Sequence, residues 1–118
     1  MNIKECYELM HGDYNDAKNR LMSDRLIEKF MLKFPQDGSM QQLEEALKAE
    51  DYELAFRSAH TLKGVAANLA FSALFKAASD LTERLRYDKS APDQALVQKV
   101  EEEYDLVIAT LKNYSESK

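Results

Sequence analysis

Ala59-His60-Thr61-Leu62-Lys63-Gly64, AHTLKG, lies inside a stretch that reads as one long helix. Successive residues of a helix turn by about 100°. With Leu62 as the zero of the wheel, Ala55, Ala59, Ala66 and Leu69 fall within about 60° of it and form a narrow apolar stripe. His60 lies roughly 160° away and Gly64 roughly 200° away. The histidine therefore points at solvent, and the glycine is not placed for helix packing. A glycine in a helix interior costs roughly 1 kcal/mol relative to alanine, so its presence asks for a use. Arg57 and Lys63 flank His60 at about 60° on either side. Two fixed positive charges beside an imidazole favour an anion placed on that ring. Gly64 and Ala67 keep the helix surface low beyond the histidine, leaving room for a bulky group to approach. The wheel by itself is equally compatible with an ordinary solvated histidine. Phe56 lies about 120° from Leu62, on the histidine's side, and is expected either to meet a partner or to pack at the boundary of the core.

The longer segment AHTLKGVAANL, Ala59 to Leu69, resembles the phosphorylation-site helix of histidine-containing phosphotransfer (HPt) domains, whose pattern is His-x-Leu-Lys-Gly followed by small residues. Weaker likeness covers most of the chain. RLMSDRLIEKFMLKF, Arg20 to Phe34, resembles the first bundle helix of that family, and LEEALKAEDYELAFRSAH, Leu43 to His60, resembles its lead-in to the histidine. Two departures stand out. Ala70 occupies a position where the family usually has glycine, and Pro35 and Gly38 interrupt a helix that is often continuous in relatives.

The resemblance implies a phosphorelay carrier. His60 would be the phospho-acceptor and Lys63 would neutralise part of the transferred charge, while Gly64, Ala67, Phe56 and Arg57 would meet the partner. The implied partners are response-regulator receiver domains and a hybrid sensor histidine kinase. The family pattern assigns this chain no base, metal ligand or cofactor of its own, and Mg²⁺ would come with the receiver domain. The chemistry suits the residue. A free imidazole, with a pKa of about 6.5, is largely neutral at pH 7 and nucleophilic without assistance. Phosphoryl transfer asks a protein mostly for positioning and charge stabilisation.

The chain has no Gly-x-x-x-x-Gly-Lys-Ser/Thr loop to cradle a nucleotide, and its length disfavours a sensor kinase. The competing reading is a phosphorylation-incompetent helical module that binds a receiver or kinase without chemistry. The pairing of His60 with Lys63 favours the carrier, because a module without chemistry has no need of both.

With 118 residues the chain has the length of one domain. Its 3 glycines and 2 prolines leave a composition that favours helix. The net charge of −5 argues against nucleic acid as a partner. No apolar run nears the roughly 18–20 residues that would span a membrane, and no signal-peptide core is present. Cys6 is the only cysteine, so no intrachain disulfide can form, as expected of a cytoplasmic protein. Met1 leans the expectation toward a free-standing chain, and a monomer is expected.

The punctuation predicts an all-α chain, an antiparallel four-helix bundle over residues 23–113. Short additional helices would precede it in residues 1–21, and a frayed tail would follow in 114–118. Asn2 with Glu5 reads as a capping box opening a helix to Met10, and Gly12-Asp13 breaks it before a second helix over Tyr14 to Leu21. Ser23 caps a helix carrying Leu26, Ile27, Phe30, Met31 and Phe34, which Pro35 ends or kinks. Ser39 with Gln42 reads as a further capping box, Asp51 caps the histidine helix, and Ser72 caps the next. Pro92 is expected in the first turn of the last helix, whose stripe is Leu96, Val100, Tyr104, Val107 and Leu111. His11 reads as a surface turn residue. The two histidines and one cysteine have no metal-ligand spacing. Asp13 with Asp16, and Glu101 to Glu103, read as helix-start charge and a solvated face.

Overall fold

In a computed structural model, which describes residues 1–117, the chain folds into helices joined by short turns. The helices are α1 (Ile3–Leu9), α2 (Tyr14–Leu21), α3 (Asp24–Lys33), α4 (Ser39–Lys48), α5 (Tyr52–Asn68), α6 (Ser72–Tyr87) and α7 (Gln94–Glu116). A 3₁₀ turn, Phe34–Gln36, separates α3 from α4, where Pro35 withholds a backbone donor. Helices α4 to α7 pack in chain order, α4 on α5, α5 on α6 and α6 on α7, while α3 also leans on α7. Connections of a few residues make these neighbours antiparallel. No described helix is long and apolar enough to cross a membrane.

The core runs along the bundle axis through Leu43, Ala59, Leu62, Ala66, Leu74, Leu81, Leu85, Val100, Val107 and Leu111, all essentially buried. The stripe expected on α5 is the stripe that is buried. On α3 the expectation holds only in part. Ile27, Met31 and Phe34 are inside, but Leu26 and Phe30 remain 38% and 39% exposed. They lie on the flank that the neighbours of α3, chiefly α2, α7 and the 3₁₀ turn, leave uncovered.

Asn2 and Glu5 form the reciprocal capping box, and Ser23 and Asp51 cap α3 and α5 with their side chains. Four details differ from the expectation. Ser39 is the first residue of α4 rather than its cap, because the Asp37 carboxylate accepts from both its amide and its hydroxyl. Ser72 is likewise inside α6, and its hydroxyl turns back to the Ala70 carbonyl. Pro92 stands one residue ahead of the Asp93 cap, outside α7. The tail does not fray from residue 114. Helix α7 continues to Glu116, with Tyr114 buried and its phenol donating to the Glu28 carboxylate of α3. That packing and that hydrogen bond push the Tyr114 phenol up to about 12. Lys118 lies outside the described residues.

Three helices end on the same device. His11, Glu50 and Ala70 take φ values of 57°, 56° and 57°, in the left-handed region that costs a side chain about 1–2 kcal/mol. Each lets the next amide reach back to a carbonyl of the last turn, Gly12 to Tyr7 at 2.8 Å, Asp51 to Ala46 at 2.9 Å and Phe71 to Ala66 at 2.9 Å. Ala70 therefore leaves α5 as a glycine would, and the strain is offset by satisfied carbonyls.

The short N-terminal helices clamp this exit. Tyr7 of α1 is fully buried and donates its hydroxyl to the Leu69 carbonyl at 2.7 Å. The Asp13 amide donates to the Ala70 carbonyl at 2.9 Å, and the Ala73 amide to the His11 carbonyl at 3.2 Å. Burial holds the Tyr7 phenol well above its ordinary range, so it remains a donor. Gly12 lies at the centre of this clamp. A Cβ there would stand 2.8 Å from the Tyr7 ring and 2.9 Å from the Ala70 carbonyl oxygen. One is a packed ring and the other is backbone, so neither can yield. Gly12→Ala is expected to lower stability by about 1–3 kcal/mol. A denaturant midpoint equal to that of the unaltered protein would show that the clamp is loose.

Candidate functional site on helix α5

Helix α5 is locked from one side and bare on the other. Asp51 accepts from the Leu54 amide at 3.1 Å at its start, and Ser58, buried, donates its hydroxyl to Gln42 of α4 at 3.0 Å. Ala55, Ala59, Leu62 and Ala66 face the core. Small residues on that face let α5 sit close to its neighbours, and a rigid helix holds a reacting group more steadily than a loop does.

On the other side His60 is exposed, with Arg57 exposed and Lys63 half-buried one turn to either side. Among the described residues, the ion pairs draw on His11, Lys18, Arg20, Lys76, Arg84, Arg86 and Lys99, and leave Arg57 and Lys63 uncommitted. Gly64 is exposed, and a Cβ added there would meet nothing within 4 Å. Its lack of a side chain thus serves no packing contact inside the fold. Ala67 is half-buried in a shallow recess of about 140 Å³ that Arg20 of α2 and Phe75 of α6 also line.

Phe56 is half-buried, and its ring stacks on that of His60, with centroids 6.2 Å apart and planes 19° from parallel. Two further cations lie over the Phe56 ring. The Arg86 guanidinium carbon is 5.1 Å from its centroid and the Lys89 ammonium 4.6 Å. Lys89 also donates to the Arg86 carbonyl at 3.2 Å, and Arg86 is steadied by Glu83 at 3.2 Å. The sequence reading missed both cations. They come from the end of α6 and the connection after it, and only the antiparallel packing of α6 on α5 brings them to the histidine's side. Their one sequence signal is the run of basic residues about Tyr87, which is also what a solvated connection looks like.

A groove of about 430 Å³ opens beside the same helix between Val65 and Asn68 of α5 and Leu21, Phe30 and Phe34. Phe30, one of the two exposed apolar residues of α3, lines it. His11, the other histidine, is remote in role. Its Nδ1 is 3.4 Å from the Glu103 carboxylate, which Lys99 also holds at 3.0 Å. Glu103 is 5% exposed, so it anchors α7 to the N-terminal clamp instead of lying on the solvated face expected for it. No group of three or more His, Cys, Asp or Glu among the described residues is arranged to hold a metal.

The exposed histidine on a rigid helix, followed one turn later by a lysine and by an unobstructed glycine, lies inside a region that matches a known family. The Hpt domain family matches the chain over residues 25–110, well over half of its length. The chain belongs to the Hpt domain family. The helical bundle and a general role in histidine phosphotransfer come with that membership. The matched range leaves α1 and α2, which clamp the exit of α5, outside it. No curated protein and no solved structure matches the chain significantly.

Proposed function

We propose that this Hpt domain acts as a cytoplasmic, monomeric phosphorelay carrier, with His60 receiving a phosphoryl group from the aspartyl phosphate of one receiver domain and passing it to another. The observation that carries this reading is the open approach to His60. The ring is exposed, Gly64 leaves space one turn on, and uncommitted cations flank it. In the forward step the lone pair of the neutral imidazole attacks phosphorus. The N–P bond forms as the P–O bond breaks, and the electron pair leaves on the aspartate carboxylate. The other ring nitrogen keeps its proton throughout. Reversal with a second receiver restores the free histidine. The Mg²⁺ that assists belongs to the receiver domain, and the enzyme that uses ATP is a hybrid sensor histidine kinase upstream.

Docking uses the low surface at Gly64 and Ala67, with Arg57 at its edge and the groove beside Val65 and Phe30 taking apolar side chains of the receiver domain. The direct test incubates the protein with phosphorylated receiver domains from the same genome and follows the label. Transfer to an acid-labile, alkali-stable position is expected, and its absence with every receiver would overturn the reading.

Lys63 supplies charge to the phosphoryl group. A partly exposed ammonium contributes a few tenths to about 2 kcal/mol to such an anion, which is a few-fold to roughly thirtyfold in rate. Lys63→Ala is expected to slow transfer or shorten the phosphohistidine lifetime by that factor, with the thermal melt nearly unchanged. Kinetics and lifetime equal to those of the unaltered protein would reduce Lys63 to a solubility residue.

A further inference from the structure

We infer that Phe56 is a positioning residue for His60, a flat brace that holds the imidazole in the orientation transfer requires, and this rests on the carrier reading above. The two residues are four apart on α5, so their side chains lie on one face a single turn apart. Their rings are stacked at 6.2 Å and 19°, within the range of favourable offset pairs. An exposed side chain otherwise exchanges freely among its rotamers. In-line phosphoryl transfer needs the nitrogen lone pair, the phosphorus and the leaving oxygen aligned, and a loosely held nucleophile loses rate for that reason alone.

The brace is itself held. Phe56 packs against the bundle core on its inner side. Arg86 and Lys89 lie over its ring from a different helix and its following connection, a favourable placement of cations on a π-face. The orientation of His60 is thus tied to α6 as well as to α5. This also speaks against Phe56 as a bare apolar contact for the partner, because imidazole and cations already take up its ring.

The experiment compares Phe56→Leu, which keeps apolar bulk and removes the ring, with Phe56→Tyr, which restores a ring. The first readout is the proton NMR of the His60 ring in the unphosphorylated protein. Shielding by the facing ring is expected in the unaltered protein and in Phe56→Tyr, and is expected to be lost in Phe56→Leu. The second is single-turnover transfer at increasing concentrations of phosphorylated receiver domain. Phe56→Leu is expected to lower the saturating rate about two- to tenfold, the scale of one aromatic pair, with the half-saturating concentration unchanged, and Phe56→Tyr to recover it. Unaltered ring shifts in Phe56→Leu would overturn the brace. So would an unchanged saturating rate with a raised half-saturating concentration, which is what a docking residue gives. Failure of the unaltered protein to take label would overturn the carrier reading alone, since the ring shifts decide the geometry without any transfer.

Discussion

His60→Gln is expected to fold as the unaltered protein does and to take no phosphoryl label at all. The side chain is exposed and touches the fold through its stack on the half-buried Phe56 ring, so its exchange for another polar residue with good helix propensity keeps the helical signal and lowers stability by at most about 1.5 kcal/mol, the scale of one aromatic pair. What disappears is the nucleophile, because an amide nitrogen has its lone pair delocalised into the carbonyl and does not attack phosphorus. The other histidine cannot take over. The His11 ring faces the Glu103 carboxylate at 3.4 Å, and a phosphoryl dianion added to that ring would meet a fixed negative charge. His11 also sits in a turn stitched to Ala73 through its own carbonyl, with no glycine-cleared approach of the kind Gly64 provides. The measurement is acid-labile, alkali-stable labelling by phosphorylated receiver domains, expected to fall to background in His60→Gln and to be undiminished in His11→Gln. Label retained in the first variant, or mapped to His11, would remove His60 from its role.

The parts of this molecule that could be read from the chain are those whose causes are local. The capping box at Asn2 and Glu5, the break at Gly12, the cap at Asp51 and the apolar stripe of α5 all depend on residues within one or two turns, and each appears in the structure where the pattern put it. Ser39 and Ser72 show where a local rule gives the wrong answer for a local reason. Both serines follow a residue that already closes the turn, Asp37 in one case and left-handed Ala70 in the other, so the hydroxyl arrives one position too late to cap. Tyr114 failed for a different reason. It continues the stripe of Val107 and Leu111 at helical spacing, but what keeps it ordered is Glu28, 86 residues away. Within the site, His60, Lys63 and Gly64 share one helix and were legible together. Arg86 and Lys89 reach Phe56 only because α6 returns alongside α5, and no spacing within a single helix encodes that.

Gly64 separates the two uses a helix can make of a missing side chain, and here the expected effects have opposite signs. A glycine that admits a neighbouring helix is surrounded, and any Cβ overpacks it at a cost of about 1–3 kcal/mol. Gly64 has nothing within 4 Å of where its Cβ would stand. Gly64→Ala should therefore recover helix propensity without a clash and raise stability by up to about 1 kcal/mol, a few degrees in melting temperature for a domain of this size. Gly64→Gln should also fold, since a longer side chain there extends into solvent. It would nevertheless stand one helical turn from His60, on the path a receiver domain must take. Displacing the reacting groups by about 1 Å can cost on the order of a hundredfold in rate, so transfer from phosphorylated receiver domains is expected to fall by at least that order. Labelling by a small donor such as phosphoramidate needs no docking, and it should persist in Gly64→Gln. A lowered melting temperature for Gly64→Ala, together with intact transfer in Gly64→Gln, would mean that the glycine serves packing and that the receiver docks elsewhere. The empty space around the missing Cβ argues for the opposite pair of results, a firmer helix in one variant and a blocked handover in the other.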